Sequence, residues 1–240
     1  MIKYIIVLIF SVCFVSCKDK NDKARKIVDK SIEAHGGTMY EKFTAEFDFR
    51  KFHIKLMHKG GEFQYERISK DSANNDIWDV VNNNGLFRLI NGNQVSLSEK
   101  DISKYTNAVN SIAYFVLLPY KLTDKAVNLE YLGEIEIANQ KYDKVKVWFD
   151  KEGGGKDFED VYCYWFNQNT HLIDYLAYTN GGPRFRRVKN RQTVGGIVFQ
   201  DYENFAITDT TLHAYQYDKA FIAGKDSLLS LIEQKNIVVK

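Results

Sequence analysis

The chain has 240 residues, of which 45% are hydrophobic and 27% are charged, a composition typical of an ordered globular protein. Its formal net charge of +2 excludes the strongly basic balance expected of a protein that binds nucleic acid. The low counts of 2 prolines and 15 glycines argue against a disordered linker or a second domain. We therefore expect one domain, and its 14% of aromatic residues favours β-sheet.

The first sixteen residues have the pattern of an export signal. Lys3 is positively charged, residues 4–16 are mostly apolar, and the small residue Ser16 precedes Cys17. The apolar stretch is shorter than the roughly 20 residues that a membrane-spanning helix needs. Its ending resembles a bacterial lipobox, in which the cysteine becomes the acylated N-terminus. The sequence therefore predicts a signal peptide over residues 1–16, lipidation of Cys17 and a place in the bacterial cell envelope. A cleaved signal in which this cysteine is incidental is the alternative.

One cysteine remains beyond this segment. Cys13 leaves with the signal and Cys17 is acylated, so Cys163 has no partner for a disulfide within the mature chain. Cys163 lies in the strand-like run over residues 161–166. This setting favours a buried structural thiol over a nucleophile that lacks an obvious base.

The mature chain is predicted to begin with a tether and a helix. The polar residues 17–23 indicate an acylated tether, and residues 24–240 a single domain. Apolar residues recur every three or four positions from Ala24 to His35, which is the spacing of one helix face. The pair Gly36-Gly37 predicts the helix end, because glycine readily adopts the left-handed conformation of a C-cap.

Strands follow the first helix. Alternating apolar residues predict strands over residues 47–56, where a change of phase indicates a β-bulge near Arg50-Lys51. Further strands are predicted between residues 63 and 97, and Asn91-Gly92 is typical of a two-residue hairpin turn.

A second helix is predicted over residues 101–118, where apolar side chains step by three and four positions. Ser98 or Ser103 could cap its first turn. The segment 127–207 then reads as a long meander of strands, and residues 227–234 as a short helix.

This order of elements predicts an α+β protein with one large antiparallel sheet and helices against one face. The strand over residues 161–166 is apolar or aromatic on both faces, whereas a half-solvated sheet alternates apolar with polar residues. We therefore expect both faces to be covered, or a curved sheet that encloses an apolar space.

Four segments resemble LolA/LolB-like envelope proteins. They are the helix and double glycine at 27–37, the helix end at 116–119, the strand and turn at 164–170, and the late strand at 194–202. The chain is most similar to an uncharacterised subgroup of such lipoproteins. The resemblance implies an unclosed, strongly curved antiparallel half-barrel with helices packed on its concave face. In this superfamily that space holds lipid chains or the acyl groups of lipoproteins, and an anchor at Cys17 is closer to LolB than to the soluble carrier LolA.

The resemblance and the aromatic strands together predict an apolar ligand cavity, closed by the two helices. Strand alternation, which leaves one register step open, selects the candidate ligand-binding residues. They are Phe47, Phe49, Tyr65, Tyr131, Phe149, Trp165 and Phe199. A ligand pocket of this kind has a volume on the order of 300–1,000 Å³.

A dense basic run follows residue 183. On a strand, Arg184 and Arg186 would share one face, and their guanidinium groups could bind the phosphates of lipid headgroups. A charged edge strand that resists aggregation is the alternative interpretation.

No motif in the sequence indicates catalysis or a metal. His-Glu-x-x-His, cysteine pairs and Gly-x-Ser-x-Gly are absent, and the acidic residues of 150–160 favour a solvated hairpin loop over a calcium site. We therefore expect no catalytic residue, metal or cofactor. The prediction is a non-catalytic lipoprotein, at the outer membrane and facing the periplasm, that binds a lipid, an acyl chain or another apolar ligand. The alternatives are an envelope scaffold or interaction module with a filled cavity, and a hydrolase.

Overall fold

A computed structural model describes residues 12–155 and 158–240, with side chains from residue 20. It contains three α-helices, α1 (Val12–His35), α2 (Glu99–Val116) and α3 (Tyr217–Ile222). Strands before α2 are β1 (Lys42–Phe49), β2 (Phe52–Lys59), β3 (Glu62–Lys70), β4 (Asp76–Asn82), β5 (Gly85–Ile90) and β6 (Asn93–Val95). Strands after α2 are β7 (Val127–Ile137), β8 (Gln140–Phe149), β9 (Tyr162–Asn167), β10 (Ile173–Tyr178), β11 (Arg184–Val194), β12 (Ile197–Ile207), β13 (Asp226–Ile232) and β14 (Gln234–Val239).

The strands form two seven-stranded antiparallel sheets, in the orders β14-β1-β2-β3-β4-β5-β6 and β13-β12-β11-β10-β9-β8-β7. The last two strands join them: β13 pairs with β12, β14 pairs with β1, and Glu233 separates the two. In the described residues, β6 and β7 form the outer edges and do not pair, so the structure is unclosed. The predicted α+β half-barrel is confirmed. Its strands form two sheets and not one, and the chain crosses from one sheet to the other at Glu233.

The first helix begins earlier than the sequence predicted. No glycine or proline interrupts the chain from Val12 to His35, so the predicted tether over residues 17–23 is helical. The predicted signal over residues 1–16 lies largely outside the described residues, and so does the side chain of Cys17. Within the described part, no helix combines the length and apolarity needed to cross a membrane.

The double glycine ends α1 as predicted. Gly36 has a φ of 153° and Gly37 a φ of 53°, both in the region that favours glycine. A Cβ at Gly36 would lie 3.2 Å from the carbonyl oxygen of Gly196 and 3.3 Å from a ring carbon of Tyr40. The chain therefore needs glycine here both for its backbone conformation and for the close approach of β12.

Helix α2 lies between the two sheets. The side-chain oxygen of Ser98 accepts a hydrogen bond from the backbone N–H of Asp101 at 3.2 Å, which makes Ser98 and not Ser103 the N-cap. Val109 and Ala113 are buried against the first sheet, in one core cluster with Phe47. This packing fixes which face of the helix turns toward the sheet.

The expected bulge near Arg50-Lys51 is wrong. These two residues form the turn of a hairpin, with Phe49 of β1 opposite Phe52 of β2. Arg50 has a φ of 55°. The apolar pattern changes phase there because the chain reverses direction, and no extra residue is inserted into a continuing strand.

The short helix expected over residues 227–234 is also wrong, because this segment contains β13. Leu228, Leu229 and Leu231 have a spacing compatible with a helix, yet Leu228 pairs with Phe205 and Leu231 with Glu203 of β12. Pairing with a neighbouring strand overrides such a local preference.

Both faces of the second sheet are covered, as the two-faced strand β9 predicted. Tyr164 and Phe166 belong to a core cluster that includes Ala24 and Val28 of α1. On the other face, Trp165 belongs to a cluster that contains residues of α3 and of the 3₁₀ helix Ala214–Gln216. The helices at the concave side and this later segment therefore enclose the sheet between them.

Candidate functional site

A cavity of about 400 Å³ lies between α2 and the two sheets. Its strand side is aromatic: Phe63 and Tyr65 come from β3, Phe149 from β8 and Tyr162 from β9. These strands belong to different sheets, so the cavity occupies the space that the half-barrel encloses. Its volume falls within the range of ligand pockets in proteins.

The helix side of this cavity is mainly polar. Its residues follow the helical spacing i, i+3, i+4, i+7, i+8, i+11 and i+12, which is one face of α2. They are Ser103, Thr106, Asn107, Asn110, Ser111, Tyr114 and Phe115. The apolar lining that the sequence suggested is therefore not observed on this side, because the apolar face of α2 packs into the core of the first sheet. The cavity combines an aromatic side with a polar side.

Burial keeps two hydrogen-bonded side chains at the aromatic side in neutral form. The Tyr65 hydroxyl donates to Nε2 of His58 at 2.7 Å, and Nδ1 of this histidine donates to the carbonyl oxygen of Tyr40 at 2.8 Å. Burial raises the pKa of Tyr65 and lowers the pKa of His58, so both side chains are uncharged at neutral pH. Among the described lining residues, charge is contributed by Lys121 and Asp124, whose side chains form an ion pair at 3.1 Å.

A smaller cavity of about 190 Å³ adjoins the first. Ser111 and Phe115 of α2 line both cavities. The smaller cavity is mostly apolar, and its apolar residues are Phe49, Ile112, Phe115, Val116, Tyr202 and Ile232. Its polar lining includes Arg186 of β11 and Gln234 of β14.

Arg186 is the charged side chain most deeply placed in this site. Only 8% of the residue is exposed, and its guanidinium carbon lies 4.1 Å from the centre of the Phe115 ring. Nη2 donates a hydrogen bond to the hydroxyl of Tyr178, while Nε has no hydrogen-bond partner among the described residues. Arg186 therefore lines the smaller cavity and has a buried guanidinium donor, Nε, that no described residue uses.

The seven predicted lining residues separate into three groups. Tyr65 and Phe149 line the larger cavity, and Phe49 lines the smaller one. Phe47 and Phe199 instead fill the core beneath α2, with ring centres 6.4 Å apart. The interior is therefore packed solid at these last two positions and hollow nearer to β3, β8 and β9.

Tyr131 and Trp165 lie away from both cavities. The Tyr131 ring packs under α1, with Nζ of Lys23 at 3.9 Å from its centre. The Trp165 indole is on the opposite face of the second sheet, where Nε1 donates to the carboxylate of Asp218 at 3.1 Å. The choice of Trp165 is a register error of one residue, since its neighbours Tyr164 and Phe166 face the interior.

Arg184 and Arg186 do not form the paired site that the basic run suggested. The Arg184 guanidinium turns back to the start of β11, where it donates to the carbonyl oxygens of Pro183 at 3.1 Å and Gly181 at 2.6 Å. It lines neither cavity. The structure therefore leaves Arg186 as the candidate for binding an anionic group.

Helix α1 contributes less to the site than expected. No described residue of α1 lines either of the two cavities, and Ala24 and Val28 instead fill the core against the second sheet. The polar stripe of α2 is the feature that the sequence analysis missed. A signal was present, because Ser103, Asn107 and Asn110 recur at helical spacing opposite the apolar stripe.

Cys163 is a buried thiol on β9 with no measurable exposure. Burial is the main cause that raises its pKa well above the ordinary value, so the thiol stays protonated and is a poor nucleophile. In residues 12–155 and 158–240, no three His, Cys, Asp or Glu side chains cluster in a way that could hold a metal ion. What this site offers chemically is shape, aromatic surface and one buried cation.

These features define an α+β half-barrel with a two-part internal cavity. The chain belongs to a family of unknown function, DUF6503, whose model matches residues 3–234. No curated protein matches the sequence.

Several solved structures are similar to this chain. A LolA superfamily protein from Nitrosomonas europaea is 10% identical, with a TM-score of 0.48 over 90% of this chain and 92% of that one. A domain from Vibrio parahaemolyticus, described as an outer membrane lipoprotein-sorting protein, is 8% identical, with a TM-score of 0.47 over 92% and 93%. The lipoprotein LppX of Mycobacterium tuberculosis is 9% identical, with a TM-score of 0.31 over 66% and 88%. The unclosed half-barrel that the sequence motifs implied is the fold observed, and function has to be argued from the residues of this chain.

Proposed function

We propose that this protein is an envelope lipoprotein that binds a lipid or acyl chain, without catalysis, inside its half-barrel. The cavity of about 400 Å³ between α2 and both sheets carries the proposal. Phe63, Tyr65 and Phe149 offer an apolar surface for a chain, and the polar stripe of α2 offers hydrogen bonds to the less apolar part of the same ligand. An amphiphile satisfies both sides, whereas a purely apolar ligand would leave the polar side unsatisfied.

The proposal extends to the place of the protein in the cell. The signal and cysteine at the N-terminus support a lipid anchor at Cys17, at the outer membrane and facing the periplasm. Residues 17–23 would connect the anchor to the domain over residues 24–240. The proteins from Nitrosomonas and Vibrio described above are a LolA superfamily member and a lipoprotein-sorting domain by name, which agrees with a lipid or lipoprotein ligand.

A cavity-filling variant tests this function. Asn110 is an exposed residue of α2 that lines the larger cavity, so Asn110→Trp should place an indole in the space that the ligand uses. Lys104→Trp is the matched control, because Lys104 is also exposed on α2 but lines neither cavity. Binding of a fluorescent long-chain fatty acid is measured by titration.

We expect the wild type and Lys104→Trp to bind the probe with similar affinity, and Asn110→Trp to bind it at least tenfold more weakly. Equal binding by all three proteins would place the ligand elsewhere. Absence of binding by the wild type would contradict the proposal. It would favour an envelope scaffold whose interior binds no ligand.

A further inference from the structure

The smaller cavity contains a charge that no acidic side chain of the described residues pairs with. Arg186 is 8% exposed, forms no ion pair within the described residues, and has no hydrogen-bond partner at Nε. The described residues that line this cavity include Arg50 as a second cation and no carboxylate. The other arginines of the same strand differ: Arg187 pairs with Glu203 at 2.6 Å, and the Arg191 guanidinium pairs with Asp174.

An unpaired buried cation is unfavourable unless another group compensates for its lost hydration. The rings of Phe115 and Tyr178 lie 4.1 and 4.9 Å from the guanidinium carbon and supply part of that compensation. They provide no acceptor for the Nε–H. An anion that enters the cavity would provide one, since carboxylates and phosphates accept two parallel hydrogen bonds from a guanidinium.

We infer that Arg186 binds the anionic group of an amphiphilic ligand, a carboxylate or a phosphate attached to an acyl-bearing molecule. The surroundings fit this class of ligand. Phe49, Ile112 and Ile232 contact the carbon atoms next to the anion, and the buried Oε1 of Gln234, which lacks a partner among the described residues, accepts a hydrogen bond from a hydroxyl of the ligand.

The size of the smaller cavity makes it one part of a larger site. Its volume of about 190 Å³ is below the lower end of the range for whole ligands, about 300 Å³. Ser111 and Phe115 line both cavities, so the two cavities adjoin at this turn of α2. The anionic group therefore lies beside Arg186 and the chain continues along this turn of α2 into the larger cavity, an arrangement that rests on the proposed function.

The test compares three probes that share one alkyl chain: a long-chain fatty acid, its methyl ester and the corresponding alkyl phosphate. The full chain carries Cys17→Ala in every arm, so that neither membrane nor detergent competes for the probe. The variants are Arg186→Met, which keeps the apolar volume and removes the charge, and Arg186→Lys, which keeps a cation. Arg187→Met is the matched control, because Arg187 is the next residue of β11 and is exposed on its other side.

We expect the wild type and Arg187→Met to bind at least one anionic probe at least tenfold more tightly than the ester. Whichever anion binds more tightly shows whether the natural ligand carries a carboxylate or a phosphate. Arg186→Met should lose this preference and keep its affinity for the ester within about twofold, while Arg186→Lys should keep part of it. The thermal midpoint of Arg186→Met should equal or exceed that of the wild type, because this substitution removes a buried charge that has no ion-pair partner.

Three results would overturn the inference. Equal binding of the ester and the anions by the wild type would leave the proposed lipid function in place and remove the role of Arg186. Failure of every probe to bind would overturn both. An equal loss of affinity for all three probes in Arg186→Met, with a lower thermal midpoint, would also contradict it and make the arginine a structural residue.

Discussion

At the scale of single residues, burial determines the protonation state of His35. His35 is fully buried at the end of α1, where its Nδ1 donates to the carbonyl oxygen of Ser31 at 2.8 Å. Burial is the main cause that lowers its pKa from 6.5 to about 4, and nearby Arg191 lowers it further while Asp174 opposes. The imidazole is therefore neutral in the folded protein at pH values where the unfolded chain would protonate it.

This pKa shift predicts a loss of stability in mild acid. Because the unfolded chain binds the proton more readily, the free energy of unfolding should fall as the pH decreases from about 6.5 to about 4. The loss from this one group reaches at most about 3 kcal/mol. Thermal midpoints measured across this range for the wild type and for His35→Asn test it. The variant should show a shallower dependence on pH, and parallel curves would contradict the assignment.

Gly36 gives a second prediction at this scale. Gly36→Val should destabilise the protein without touching a ligand, because valine is strained at a φ of 153° and its Cβ meets the backbone of β12. We expect a loss of about 2 kcal/mol and a thermal midpoint lower by about 4–8 °C. Gly60→Val is the control: Gly60 has a φ of 61° but open space around it, so its loss should be smaller. An unchanged midpoint for Gly36→Val would contradict this conformation.

At the scale of elements, α2 determines the site, and its position depends on its first turn. Ser98→Ala removes the acceptor for the Asp101 N–H and should cost about 1 kcal/mol, or about 2–4 °C in the thermal midpoint. Ser103→Ala, one turn later on the exposed side of the helix, should change the midpoint by less than half as much. Equal effects of the two substitutions would mean that Ser98 does not cap the helix.

The sequence predicted the elements better than the site, for a physical reason. Glycines, caps and apolar periodicity are local signals, so the end of α1 at Gly36 and the range of α2 followed from them. Which aromatic side chains line a cavity depends on strand register and on packing between distant elements. Phe47 and Phe199 meet each other across the core, and Trp165 differs from its interior neighbours by one register step.

The same limit explains the errors in the last third of the chain. Residues 227–234 have a helix-compatible pattern, and only β12 as a partner makes β13 a strand. Likewise, five arginines and lysines close together on β11 look alike in sequence. Arg187, Lys189 and Arg191 differ from Arg186 by their ion pairs with Glu203, Glu233 and Asp174, and those partners lie at least 16 positions away along the chain.

At the scale of the whole molecule, the proposed lipid anchor at Cys17 precedes a domain with an internal cavity. Cys17→Ala should abolish retention of the protein in the membrane fraction and leave the domain folded. Among the described side chains of α1, Ala24 and Val28 are buried in the core, and both follow Cys17 in the chain. Cell fractionation measures the first effect and circular dichroism the second. Continued tight membrane association of the variant would contradict the proposed lipidation.

The central claim is that the half-barrel holds an amphiphile in the cell. The measurement that tests it most directly is mass spectrometry of the intact, non-denatured protein after mild extraction from its own membranes, followed by identification of the released molecules. We expect a population with an added mass equal to one acyl-bearing anionic lipid, which is depleted in Asn110→Trp and preserved in Lys104→Trp. Only the ligand-free mass in every protein, together with no uptake of added fatty acid, would contradict the account.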